Sequence, residues 1–372
     1  MVGKCNILSV TSKPSRFFYF GAIAATWTTF GSQKINSAWA WRLPTLLQLA
    51  PSAVVILLAL FLPESPRWLL SRGKVDQAVK VFAKYHGKGN PEHPIVSFQV
   101  HEIQASLGEE RSDKRWWDYR ELFNTRAARY RFWILFAEGF LGNFLGGAVI
   151  AYYSPIMLTN AGITNPSTQL LINAINTIIS MLSAIAGSFV MDYFGRRKMF
   201  LFSTTGTLGV FIIITALSAT YANGGGRGGS YAFTVFLILY GVFFSAGWTP
   251  LQYLYPSEVL RFETRAKGLG AYGFVTNVGN VINTYCAPIG MVNIQWKFYL
   301  VFIVVHALYI PMLYFTFPET KGRTLEELDE VFNAKNPVKK SLELKKVIVK
   351  ESEGVIASSE GFHDGQLDPR IS

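Results

Sequence analysis

Apolar residues gather in eight windows, at 16–33, 42–62, 132–158, 168–190, 198–219, 232–256, 267–290 and 297–317, each near the roughly 20 residues that a helix needs to cross a bilayer. The first is the weakest, because it is short and diluted by Thr26, Thr28 and Thr29, so it needs neighbours to cover its polar groups. Between the second and third windows, 64–129 is too polar to span. Its apolar residues recur at helical spacing at Val75, Ala78, Val79 and Phe82, then at Val96, Val100, Ile103 and Leu107, which predicts short amphipathic helices. Trp116, Trp117 and Tyr119 just before the third window suit a membrane interface. After the last window, Thr324 followed by Glu327 fits a capping box that opens a helix with Leu325, Leu328 and Phe332 on one side. Beyond Asn336 the chain is charged and Ser-rich and reads as disordered. The pattern predicts an all-α membrane protein of about eight transmembrane helices. It divides into two spans within 1–62, a helical linker over 63–131, a six-helix bundle over 132–323 and a tail over 324–372.

Composition agrees. Charged residues make up only 16% of the chain against 15% aromatics, where soluble proteins carry about 25% charged residues. The net charge of +11 does not point to nucleic acid, because Lys and Arg sit in short clusters between apolar runs rather than along one face. Those clusters set orientation. Segment 63–131, Arg196 to Lys198, Arg261 to Lys267, and Lys321 with Arg323 are basic; Thr159 to Ser167 and Met291 to Gln295 carry no Lys or Arg, and Tyr221 to Ser230 carries Arg227. Positive-inside places the first set, and the end of the last helix, in the cytoplasm. Two cysteines, Cys5 and Cys286, build no disulfide framework. Met1 to Lys13 is polar and shows no secretory leader, so the first apolar run is expected to be a mature helix. No nucleotide-binding glycine pattern, metal-ligand cluster or Ser-His-Asp arrangement occurs, and Gly224 to Gly229 lacks the Lys-Ser pair of a phosphate loop and reads as a flexible outer loop. The chain is therefore not expected to be an enzyme, and no cofactor or metal is implied.

Polar residues inside apolar windows mark function by default. Asn277 and Asn280 are three apart on one helix face, and burying two amides in lipid is costly, so they are expected to face a cavity. Phe244, Trp248, Gln252 and Tyr253 lie close to helical spacing, with Gly247 and Pro250 loosening the backbone between them. Glu138 stands about two turns inside its window and is a candidate proton site, with a water-exposed position at a cavity mouth as the alternative. Asn173 and Asn176 rank lower, and His306 reads as a packing residue.

Several short runs carry a resemblance. Pro63-Glu64-Ser65-Pro66-Arg67 and Pro318-Glu319-Thr320-Lys321-Gly322-Arg323 close the second and last windows, and Asp192-Tyr193-Phe194-Gly195-Arg196-Arg197 lies between them. Together with Gly247-Trp248-Thr249-Pro250-Leu251-Gln252, Tyr255-Pro256-Ser257-Glu258-Val259-Leu260 and Arg265-Ala266-Lys267-Gly268, they resemble the sugar porters of the major facilitator superfamily, the fungal lactose-permease-like and hexose transporters among them. The resemblance covers 16–335 and implies that the eight windows match the family's fifth to twelfth helices, so that 1–62 is what remains of an N-terminal bundle. It implies transport of a sugar by alternating access, with a sugar and membrane lipid as partners and proton coupling open. A non-transporting sensor and an inactive fragment are the alternatives. It also implies a gating network of Glu64, Arg67, Asp192, Arg196, Arg197, Glu258, Arg265, Glu319 and Arg323. In the family's seventh helix Asn143 takes the place of a Gln, Gly147 replaces a second amide, and the pair Tyr152 and Tyr153 matches as it stands. That makes Asn143, Tyr152 and Tyr153 candidate sugar contacts beside Phe244, Trp248, Gln252, Tyr253, Asn277 and Asn280.

Overall fold

The computed structural model describes residues 13–87, 89–109, 118–221, 227–261, 264–323, 325–343, 347–349 and 356–358. They form two compact units, Ala24–Arg120 and Met1–Ile23 with Glu121–Ser372. Helix α1, Lys13–Ser32, begins in the second of these and ends in the first.

In the unit 24–120, α2 (Trp39–Leu47) and α3 (Leu49–Ala59) abut at Gln48 and make one 21-residue apolar span. Neither helix has a buried residue, and a segment this apolar is covered only by hydrocarbon or another protein surface. The polar stretch that follows folds as expected into α4 (Pro66–Ser71), α5 (Val75–Tyr85) and α6 (Pro94–Glu109). Their apolar stripes close a small core of Leu69, Leu70, Ala78, Phe82, Val96 and Val100. Trp116 and Trp117 lie outside the described residues.

The larger unit holds α7 (Arg126–Gly139), α8 (Gly147–Asn160), α9 (Pro166–Phe194), α10 (Arg196–Tyr221), α11 (Arg227–Val259), α12 (Arg265–Asn293) and α13 (Phe298–Thr316). Six helical segments of the described chain are long and apolar enough to cross a membrane; α1 and α12 are helical over 20 and 29 residues but more polar. Gly228 and Gly229 belong to the first turn of α11, which corrects the expected glycine loop at those two positions. Residues 222–226 lie outside the described residues.

Helices in lipid gain nothing from burying apolar surface against one another, so close backbone approach and interhelical hydrogen bonds hold them. A Cβ on Gly187 of α9 would overlap the carbonyl of Ala246 in α11, and one on Gly247 would meet Ser203 and the Met199 carbonyl of α10. The hydroxyls of Ser183 and Ser203 donate to the α11 carbonyls of Val242 (2.6 Å) and Phe243 (2.7 Å). Aromatic rings fill the remaining space, with Phe200 set edge-on to Trp248, Tyr255 and Phe317.

The tail is more ordered than its composition predicts. Helix α14 (Leu325–Asn333) buries Leu328 and Phe332 as its pattern requires, while its capping residue Thr324 lies outside the described residues. Beyond Asn336, α15 (Pro337–Leu342) forms in place of the expected disorder. The Asn336 side chain caps it, and Pro337, Val338 and Ser341 are buried. Two short strands, Val347–Val349 and Ile356–Ser358, pair antiparallel.

Gly187→Leu is expected to abolish a monodisperse detergent-solubilised protein, since overpacking costs about 1–3 kcal/mol even where neighbours can yield and a backbone carbonyl cannot. Gly209→Ala, with open space around it, is expected to leave the melting temperature unchanged or raised.

Candidate functional site: a broken helix beside a charge cluster

The window 132–158 is expected to be one helix and is not. It breaks between α7 and α8, where Leu141–Leu145 winds as a 3-10 helix ending at Gly146. Gly146 has φ of +85°, a conformation side chains resist, and a Cβ there would overlap the Phe211 ring. A break frees backbone carbonyls, which inside a membrane need donors from the protein. Four side chains supply them. Tyr309 Oη donates to Ala137 O (3.3 Å), Asn143 Nδ2 to Gly139 O (2.5 Å), Asn283 Nδ2 to Asn143 O (2.7 Å) and Tyr240 Oη to Leu145 O (2.6 Å). Asn143 Nδ2 also reaches Thr276 O of α12 at 3.1 Å.

Prolines create the same need. Each proline inside a helix leaves the carbonyl four residues earlier without its N–H. Pro256 frees Gln252 O, which accepts from Tyr272 Oη at 2.9 Å; Pro288 frees Thr284 O, which accepts from Tyr153 Oη at 2.7 Å. These two phenols tie α12 to α11 and to α8.

Among the expected sugar contacts, Asn143, Phe244 and Trp248 meet at the break. Tyr240, Phe244 and Trp248 stack at four-residue intervals, with centroids 5.8 and 6.4 Å apart. Phe244 is half-buried and lies against Gly147. Trp248 is a core side chain rather than an open platform: it is 2% exposed, Gly142 covers its ring, and Nε1 donates to Thr204 Oγ1 at 3.1 Å. Gln252 and Asn280 are half-buried. Asn277 is exposed, and its Nδ2 donates to Gly273 O of its own helix at 2.8 Å. Tyr153 is half-buried, whereas Tyr152 and Tyr253 are 60% and 61% exposed. His306 packs as expected, bonded to Phe302 O and Thr207 Oγ1.

Sequence patterns do not single out Asn283, Tyr240, Tyr309 or Tyr19. Tyr19 of α1 donates to Ser245 Oγ at 2.9 Å and lies 3.2 Å from Thr249 Oγ1, two hydroxyls four residues apart on α11 that flank Trp248 in sequence. For Asn283 a signal exists, since it extends the spacing of Asn277 and Asn280 by another three residues.

A charge cluster sits where α9 meets α10. Arg196, 2% exposed, grips Glu258 through Nε and Nη2 at 2.9–3.3 Å and lies 3.8 Å from Asp192. Glu319 caps the start of α10. Its two oxygens accept from the amides of Arg196 (2.8 Å) and Arg197 (3.1 Å), and one also accepts from Thr320 and Lys321. A helix N-terminus attracts an anion, and the bare Gly195 at φ +92° leaves the room, because a Cβ would overlap the carboxylate. Thr320 Oγ1 donates to Glu258 (2.5 Å), joining the two carboxylates. Arg197 donates to Tyr314 O and lies over the Tyr314 ring. Arg323 donates to the carbonyls of Lys340, Ser341 and Glu343 at the end of α15. Arg265, also expected in the gating network, donates to Leu260 O at 3.5 Å. Glu64 is exposed in the other unit, and the Arg67 side chain lies outside the described residues.

The larger unit is thus a bundle of long apolar helices, one of them broken at a line of amides and phenols, with a buried charge cluster at helix ends. Residues 10–332 match the family model described as "Sugar (and other) transporter", and the chain belongs to that family. It is 30% identical over 323 residues to the MFS-type transporter oryC of Aspergillus oryzae, covering 86% of this chain and 59% of that protein. It is 29% identical over 316 residues to the sugar transporter STL1 of Saccharomyces cerevisiae, covering 84% and 54%. The chain thus spans little more than half the length of these relatives. Its fold matches a solved structure of the proton:xylose symporter XylE bound to 6-bromo-6-deoxy-D-glucose, with TM-score 0.65 and 21% identity, covering 88% of this chain and 67% of that one. The chain is an integral membrane protein of the major facilitator fold.

Removing either partner of the Arg196 and Glu258 pair strands a buried charge, which costs about 3–5 kcal/mol. Arg196→Ala and Glu258→Ala are each expected to lower the melting temperature steeply, and the double variant is expected to be less destabilised than the sum. Strict additivity in a double-mutant cycle would show that the pair is not coupled.

Proposed function

We propose that the protein moves a sugar across the membrane by alternating access, as a secondary active or facilitative transporter, with the 132–323 bundle supplying most sugar contacts. The observation that carries this is the break at Leu141–Leu145, where amides and an aromatic stack gather beside helices loosened by proline. Discontinuous helices are where transporters build substrate sites, and a sugar needs paired hydrogen-bonding groups for its hydroxyls and a flat apolar surface for its ring. Relatives named as sugar and glucose transporters support the substrate class. A hexose, a pentose or a disaccharide such as lactose fits it equally, and no chemistry on the substrate is proposed.

In this reading Asn143 positions the break while Gln252, Asn280 and Phe244 contact the sugar. Tyr153 ties the outer ends of α8 and α12. The cluster of Asp192, Arg196, Glu258 and Glu319 holds the cytoplasmic ends of α9, α10 and α11 together in one state and releases them in the other. The basic connections and the C-terminus face the cytoplasm, in the plasma membrane, with 1–62 belonging to the partner bundle and 63–131 linking it to the six-helix bundle.

Gln252→Ala and Asn280→Ala are expected to cut sugar uptake about 2- to 10-fold, the scale of one lost hydrogen bond, at unchanged surface expression. Labelled hexose, pentose and disaccharide uptake in cells expressing the full-length transporter measures this, and wild-type uptake by both variants would remove the site assignment.

A further inference from the structure

Glu138 lies one residue before the end of α7, at the mouth of the break, and is 2% exposed. This corrects the water-exposed alternative. Neither of its carboxylate oxygens meets a hydrogen-bond donor among the described residues. An ionised carboxylate taken from water without donors is strongly disfavoured, so the arrangement suits a carboxyl that carries its own proton.

The groups around it are phenols. Among the described residues, Tyr255 of α11, Tyr272 of α12 and Tyr309 of α13 are titratable side chains that feel the charge of its carboxyl. The 3-10 segment contributes no titratable residue. From α14, the acidic side chain bonded to α7 is Asp329, which is engaged by Arg131 and Arg261 at the other end of the helix. Each phenol spends its one hydrogen on a backbone carbonyl. Tyr255 donates to Pro318 O (2.9 Å), Tyr272 to Gln252 O (2.9 Å) and Tyr309 to Ala137 O (3.3 Å). Two of those carbonyls are the ones that the proline and the break leave in need of a donor.

We propose that Glu138 is a proton-binding site whose proton is exchanged during the transport cycle, and that its release recruits the phenols of Tyr272 and Tyr309. The proton leaves the carboxyl for water admitted when the bundle opens, and no covalent bond other than O–H breaks. The carboxylate then draws the Tyr272 hydroxyl off Gln252 O and the Tyr309 hydroxyl off Ala137 O. That unties α12 from α11 beside Gln252 and loosens the end of α7, so the protonation state of Glu138 and occupancy of the sugar site bias the same helices. This coupling rests on the transport reading above, but the proton site does not.

Two measurements on the purified full-length transporter separate them. Infrared difference spectra of wild type against Glu138→Gln are expected to show a protonated carboxyl C=O band at neutral pH that the variant lacks; absence of that band overturns the site. In proteoliposomes, Glu138→Gln is expected to lower the ratio of pH-gradient-driven accumulation to sugar counterflow by roughly tenfold, within the range of coupling between linked sites. An unchanged ratio, or a wild-type ratio that ignores the pH gradient, overturns the coupling. A wild type that shows the infrared band but moves no hexose, pentose or disaccharide leaves the proton site standing and removes the transport reading.

Discussion

Every polar backbone group within the bilayer must find its partner inside the protein, and the architecture of the larger unit follows from that constraint. A regular helix meets it alone. Here the chain departs from regular helix at Phe140 to Gly146 and at the prolines of α11 and α12, and each departure frees a carbonyl. Tyr309, Asn143, Asn283, Tyr240, Tyr272 and Tyr153 answer six of them. Five of those six bonds run between different helices, so the repairs that make a broken helix tolerable are also the ties that fix its neighbours.

The charge cluster obeys the same logic at the membrane edge. Arg196 is buried and requires an acid, which Glu258 supplies; the amides opening α10 require an acceptor, which Glu319 supplies. Because Thr320 bridges to Glu258, the starts and ends of four helices share one network. Breaking either half of such a network leaves a buried charge without its partner.

Most of the helices were legible in the sequence, because long apolar windows and short basic connections are strong signals. The linker helices around Phe82 and Val100 were legible from spacing alone. The break was not: the window 132–158 stays apolar throughout, and only the φ of Gly146 and the donors from distant helices reveal it. The candidate sugar contacts were legible as residue types but not by their surroundings. Trp248 has the chemistry of a platform yet lies in the core, and Asn277 bonds to its own helix. Asn283, which does bridge to the break, continues the three-residue spacing of Asn277 and Asn280, but spacing alone does not show which of the three amides reaches another helix. The order of α15 was missed for a related reason, since its anchors are carbonyls and an amide that composition does not display.

That last helix has a practical consequence. Ser341 accepts from the amide of Glu319, the residue that caps α10, and Arg323 clasps the carbonyls just beyond it. The folded body therefore extends through Glu343, well into a region whose lysines and serines look dispensable. A fluorescent reporter or affinity tag attached at Asn336 would cut away part of the support beneath Glu319, whereas one attached beyond Glu343 leaves it whole.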